Sequence, residues 1–374
     1  MPPSPPVVRP PAPAPAPAPP PPTSAPPDPP ADLCLRPGTP VLARGDGQVQ
    51  LGTDPRWALV VDGLDVHEVG WLQAASTRRH VSLARTARRS GVTESRLAEI
   101  TRLLTACGFL VRPPRTRPDV AAAGGGAADA PALGALVPDG NGMTTLARRA
   151  TRRVGIVGLG RIGGLVAGHL AAAGVGTLLL DDAAPVQISD LGLGPYRQAD
   201  VGHRRDERLT AALAQEFPRT ATATPWRDDA PPAAVVVVGD HVDRPERFAR
   251  LMSFGVAHLS LVVGEADVSV GPFVLPGTSA CVGCRHREEA DVDAAWPRLA
   301  AQLREQPPAA QETVLATTAA AIAVGQVLAH LDGGRPGLSD AVATVRLPDA
   351  VPRLRPLAPH RGCGCVTPPG GRLP

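Results

Sequence analysis

The stretch Arg153-Val154-Gly155-Ile156-Val157-Gly158-Leu159-Gly160-Arg161-Ile162-Gly163-Gly164 decides the fold. An apolar run, Val154 to Val157, stops at a glycine loop, and the loop opens into an Ala/Gly/Leu-rich segment, 165–173. Gly174-Val175-Gly176 then turns into a second apolar run, 177–180, which ends in Asp181-Asp182. Strand, glycine loop, helix, strand and acid follow in register. Glycines at 158, 160 and 163 let the backbone approach a phosphate and let the helix pack close to the strand. The helix N-terminus then offers an anion unpaired N–H groups and the positive end of its dipole. Asp182, 19 residues beyond Gly163, stands where a carboxylate can take ribose hydroxyls. The spacing predicts a Rossmann-like nucleotide-binding unit rather than an ordinary packing turn.

Working outward, the same alternation continues. A helix is expected over about 205–217. An apolar strand follows, 233–238, ending in Gly239-Asp240-His241-Val242-Asp243, then a helix over 245–254 and a strand over 258–263. This is an α/β pattern: a mostly parallel sheet with helices on both faces, in a domain spanning 149–366. Residues 313–331 form a long helix that is apolar on nearly every face. Its length suits a membrane span, but Gln326 and His330 make it a buried core helix. Upstream, 1–31 is a Pro/Ala-rich tail expected to be disordered and polyproline-like. Residues 32–115 read as a small winged-helix-like α+β domain. There Val41-Leu42-Ala43-Arg44 and Val49-Gln50-Leu51 flank a hairpin turn at Gly45-Asp46-Gly47. Leu97, Ile100, Leu103 and Leu104 lie at helical spacing over 94–108, ahead of a strand-like Phe109-Leu110-Val111. Residues 116–148 are a Pro/Ala/Gly-rich flexible linker and 367–374 a tail.

Composition narrows the partners. The 374 residues carry a net charge of +3, small for this length, which argues against a nucleic-acid binder. Winged helices often bind DNA, but an exposed strand edge in such a module could equally take a peptide. Arg78, Arg79, Arg85, Arg88 and Arg89 read as a solvated face. The chain has no lysine, so all 38 basic side chains are arginines that stay charged at working pH. No export signal is evident, and the protein is expected to be cytoplasmic, without membrane association.

Cys281-Val282-Gly283-Cys284 is a CxxC knuckle, and Cys363-Gly364-Cys365 follows 79 residues after Cys284. Four thiolates in two short loops suit tetrahedral Zn²⁺ in a closed, structural site that activates no water. A redox disulfide at the CxxC is the weaker alternative, because no thioredoxin-like strand and helix flank it.

Together these pieces resemble the ThiF/MoeB/HesA superfamily, the bacterial relatives of ubiquitin-activating enzymes. The resemblance covers 152–365 and rests on GLGRIGG (158–164), AGVG (173–176), LDD (180–182), VQISDL (186–191), RQADVGHRR (197–205), VVVVGDHVD (235–243), CVGC (281–284) and CGC (363–365). It implies use of ATP and Mg²⁺ to adenylate the C-terminal carboxylate of a peptide or small protein. By position it implies that Gly158, Gly160 and Gly163 line the phosphates and Asp182 holds the ribose. Ser189 and Asp190 take the family's Ser-Asn positions, Arg205 its phosphate-binding Lys position and Asp243 its Mg²⁺-binding Asp position. A homodimer is implied too. The small domain, through LRPGTPVLARGDGQVQLGTDP (35–55), resembles proteins that bind leader peptides in azoline-forming ribosomal peptide biosynthesis. In that group the ThiF-like domain can serve as a scaffold while a partner enzyme, of the cyclodehydratase type, uses the ATP.

The chain departs from the family pattern in several places. Asp190 replaces Asn, and Leu193 stands where the family has Arg, so Arg197 could supply that cation only through a rebuilt loop. Arg161 replaces a glycine and either crowds the phosphates or restores a cation. No cysteine lies between Arg285 and Thr313 to form a thioester. Two readings stand close together, an ATP-dependent adenylyltransferase and a catalytically degenerate leader-peptide scaffold. An NAD(P)-dependent oxidoreductase is a distant third, since nothing in it calls for the cysteine pairs or Asp243.

Overall fold

A computed structural model describes residues 32–45, 47–77, 81–112, 124–223 and 230–366. The expected tails, Asp46 of the hairpin turn and Arg78 and Arg79 lie outside them. The chain divides into two compact units. In the smaller, strands β1 (Val41–Gly45), β2 (Gln48–Leu51) and β3 (Leu59–Val61) form an antiparallel meander. Helices α1 (Val66–Thr77), α2 (Leu83–Arg89) and α3 (Glu94–Ala106) follow. Val49, Leu51, Trp71, Leu72 and Leu104 are fully buried. The Trp71 indole N–H donates to the Leu83 carbonyl at 3.1 Å, so its polar edge is satisfied inside that core. Arg85, Arg88 and Arg89 are exposed, as a solvated face requires.

The larger unit is built on an eight-stranded sheet. Its strands are β4 (Arg153–Val157), β5 (Thr177–Asp181), β6 (Ala221–Ala223), β7 (Ala234–Asp240), β8 (Ala257–Val263), β9 (Asp267–Val274), β10 (Ala341–Arg346) and β11 (Arg353–Pro356). They lie in the order β11-β10-β9-β8-β7-β4-β5-β6. The half from β6 to β8 is parallel and the half from β8 to β11 antiparallel. The main core packs one sheet face against α6 (Arg161–Ala172), α7 (Arg205–Glu216) and α11 (Thr313–Leu331). Helix α8 (Glu246–Ser253) and Val282 cover the other. Val236 belongs to the first cluster and Val235 and Val237 to the second. Burial on both faces explains the unbroken valine run of β7. Helix α11 is long and apolar enough to cross a membrane, but it packs on α6 and the sheet as a core helix. It does so with one face only, through Leu315, Ala319, Ala323 and Val327; Ala321 and Gly325 are exposed.

One expected element is corrected. Residues 124–148 are not linker: a 3₁₀ segment (Gly124–Asp129), α4 (Ala130–Gly134) and α5 (Gly142–Ala150) build onto the larger unit. A Cβ on Gly142 would sit 2.0 Å from the Ala130 carbonyl oxygen, so this glycine serves close packing, not freedom. Buried Arg149 then ties α5 to Asp332, just beyond α11, at 2.6 and 3.0 Å, and to the Ala173 carbonyl at 3.2 Å.

A Cβ on Gly163 would lie 2.0 Å from the Gly158 carbonyl oxygen. We expect Gly163→Ala to cost about 3 kcal/mol or more in urea unfolding, because backbone must move. His258 on β8 is fully buried, and burial lowers its pKa to about 4 against the pull of the Val256 carbonyl. Protonation therefore favours the unfolded chain. This costs nothing above about pH 6.5 and up to about 3 kcal/mol by about pH 4. Unfolding free energies at pH 7.5 and 4.5 should differ by about 2.5 kcal/mol more in the wild type than in His258→Gln.

Candidate functional site

Strand order reverses between β4 and β7: the chain runs outward from β4 through β5 to β6, then returns to β7 on the other side. Such a reversal opens a crevice at the carboxyl ends of the parallel strands. A cavity of 510 Å³ lies there, with Gly158, Asp182, Asp240, Asp243, Arg205 and Arg247 among its lining. Gly158, at φ +86°, turns the chain so closely over β7 that a Cβ would meet the Val238 carbonyl oxygen at 2.8 Å. Helix α6 begins three residues later, capped at its N-terminus by Gly160.

Several charges in this crevice are engaged with one another. Asp182 Oδ2 accepts the Leu159 N–H at 2.8 Å and an Arg205 N–H at 3.0 Å; Oδ1 accepts the Ala184 N–H at 3.0 Å. Arg205 also grips Asp190 with two prongs, at 2.8 and 3.0 Å. Burial works against its charge, but the two carboxylates outweigh that and raise its pKa. Asp243 is nearly fully buried; it accepts the Ser260 hydroxyl and faces Arg285 at 3.4 Å. Burial pushes the Asp240 carboxyl up, although it accepts the Ala309 N–H at 3.2 Å. The segment ahead of α11 is fastened to both walls of the crevice. His241 Nε2 meets the Pro307 carbonyl at 2.8 Å, and Arg161 donates to the Gln311 carbonyl at 2.6 Å. The Gln311 side-chain oxygen takes the Ile162 N–H of α6 at 2.9 Å.

The structure brings Gly158, Asp182, Arg205 and Asp243 to the cavity wall, with Gly160, Gly163 and Asp190 packed beside it. It does not bring two expected residues there. Ser189 is exposed on the Ile188–Asp190 turn. Arg197 is exposed and donates to the nearby Gly194 carbonyl at 3.2 Å. Arg161 neither crowds the cavity nor offers it a cation; its guanidinium turns to the Leu191 and Gln311 carbonyls. Sequence reasoning missed Asp240, Arg285 and Gln311. Asp240 had a signal, its place at the end of the valine strand. The other two had none, because each acts on a group far away in the chain.

The second site is the thiol cluster. Cys281, Cys284, Cys363 and Cys365 place their sulfurs within 4.8 Å of one another. Neighbouring sulfurs stand 3.9, 3.6 and 3.3 Å apart, close to the roughly 3.8 Å edge of a tetrahedron with Zn–S bonds of about 2.3 Å. Hydrogen bonds from the Cys281 thiol and the His360 N–H pull the Cys284 pKa down. The hydrogen bond to that thiolate, with burial, pushes Cys281 up, and burial, with the same thiolate, pushes Cys365 up. A divalent cation removes this conflict by holding all four as thiolates. The cluster can thus hold zinc, and its closed donor set leaves no open position.

A family model described as the ThiF family matches residues 138–237. A search of curated protein sequences finds no match. Among solved structures, E. coli MccB with ATP superposes at a TM-score of 0.66 and 16% identity, over 90% of this chain and 99% of that one. The microcin C7 biosynthetic enzyme MccB in complex with N-formylated MccA gives 0.65 and 15%, over 89% and 99%. PaaA gives 0.64 and 16%, over 86% and 98%. At this identity the likeness is one of fold.

Elemental analysis should find one zinc per chain, and Cys284→Ser should lose it. The loss of about 3 kcal/mol expected for an unclosed site would lower the melting temperature by roughly 10 °C.

Proposed function

We propose, on the premise that residues 138–237 are a ThiF-family domain, that the protein is an ATP-dependent adenylyltransferase acting on the C-terminal carboxylate of a peptide or small protein. The observation that carries this reading is the crevice at the strand reversal, where the glycine loop, Asp182, Arg205 and Asp243 meet around one cavity. The carboxylate oxygen forms a bond to the α-phosphorus while the bond to the bridging oxygen breaks and pyrophosphate leaves. There is little covalent work for the protein to do, so positioning and charge carry the rate. Asp182 takes the ribose hydroxyls, Gly158 and Gly160 let the backbone close on the phosphates, and Arg205 meets their charge. Asp243 and Asp240 offer the hard oxygen donors that Mg²⁺ needs beside a polyphosphate. Zinc at the four cysteines would be structural. MccB, which shares the fold, has been crystallised with ATP and with MccA. That supports ATP and a peptide as substrates here, in the maturation of a ribosomally made peptide. On this reading the smaller unit holds a leader peptide, two chains associate as a homodimer, and any cyclodehydratase-type enzyme acts on the presented peptide.

A second reading, a scaffold that presents the peptide without using ATP, is favoured by the pairing of Arg205 with Asp190 and by the exposure of Leu193 and Arg197. Pyrophosphate exchange into ATP separates the two. The enzyme reading expects peptide-dependent exchange, weaker ATP binding by about tenfold or more in Asp182→Ala, and no exchange in a folded, zinc-loaded Asp243→Ala. Peptide binding without exchange would decide for the scaffold.

A further inference from the structure

Arg205 is the cation on which the proposed phosphate site relies, and it is shared between two carboxylates. Asp190 holds two of its nitrogens, at 2.8 and 3.0 Å, and Asp182 a third, at 3.0 Å. Before any nucleotide arrives, these three side chains sum to a net negative charge. Asp190 is buried, 3% exposed. Its Oδ1 lies 3.3 Å from where a Cβ on Gly160 would stand, so the carboxylate rests against the N-cap of the twelve-residue α6. It is also anchored, because its Oδ2 accepts the Gln187 N–H at 2.8 Å. Arg161, across the loop, does not compensate. Arg161 is held by the Leu191 carbonyl at 2.5 Å and the Gln311 carbonyl at 2.6 Å, while the Gln311 side chain takes an α6 N–H. The protein's own acceptors therefore already engage Arg205, Arg161 and the Ile162 N–H of α6.

We propose that Asp190 is an internal anion that competes with polyphosphate for Arg205 and so sets the affinity of the site. The inference rests on the nucleotide reading of the crevice and deepens it. Of the two partners, Asp190 is fixed by its turn and Arg205 has the longer side chain. Polyphosphate binding draws Arg205 away and leaves Asp190 short of its partner in a buried setting. A neutral side chain at 190 removes that penalty and keeps the acceptor for the Gln187 N–H.

The test is calorimetric titration of inorganic tripolyphosphate, and separately of Mg·ATP, into zinc-loaded wild type, D190N and Asp190→Ser. Zinc content and melting curves show which variants are folded, and the serine variant serves if the asparagine one is not. Tightening by about tenfold or more for both probes, as removal of one unit charge beside a polyphosphate requires, supports the proposal. The gain should vanish when Arg205→Ala is added. Unchanged or weaker affinity in a folded neutral variant, with the wild type binding, overturns the role of Asp190 and leaves the adenylyltransferase reading standing. No binding of either probe to any folded form, at millimolar concentration, removes the nucleotide reading and this one with it.

Discussion

Helix α6 can start where it does only because Gly163 has no side chain facing the Gly158 carbonyl. That single close approach fixes the larger unit. It sets the helix against the end of β4, aims its N-terminus into the gap where the strand order reverses, and forces the loop between them to run across β7. The crevice, its charged lining and the segment that crosses it all follow from where this helix begins. Gly176 repeats the device behind the site: a Cβ there would fall 1.8 Å from the Ala150 carbonyl oxygen. Both turns are tight for steric reasons, and the glycines in them are spacers rather than hinges.

The thiol cluster and the crevice are joined through one helix. Cys281 is the N-cap of α9 (Val282–Val292), and Cys284 lies in its first turn. The next residue, Arg285, reaches back to Asp243 on the cavity wall at 3.4 Å. A metal that closes the cluster therefore fixes the start of the helix that carries the counter-charge of Asp243. The cluster supplies geometry to the crevice without entering it, as the complete set of four donors requires.

The lack of any lysine shapes the electrostatics further. The planar fork of Arg205 spans Asp182 and both oxygens of Asp190, a geometry that a lysine ammonium cannot reproduce. Arg161 uses the same fork to join the carbonyls of Leu191 and Gln311. Cations that the sequence offers to a phosphate thus become clamps between segments of the protein.

The sequence by itself determined the strand, glycine loop and helix at 153–172, the acid at 182, the valine strand and its acidic end, the four cysteines and the bounds of α11. Each of these is local, a hydrophobic period, a steric demand on one backbone turn, or a donor type at short spacing. The helical segments over 124–134 were illegible because Ala, Gly and Pro read alike in a linker and in a segment packed backbone to backbone. Only the tertiary structure decided that Arg161 turns away from the cavity, that Ser189 and Arg197 stay outside it, and that Gln311 and Arg285 act there. A long side chain's direction is set by which carbonyl or carboxylate lies within reach, and for Arg161 and Arg285 those partners come from segments 30 to 150 residues away.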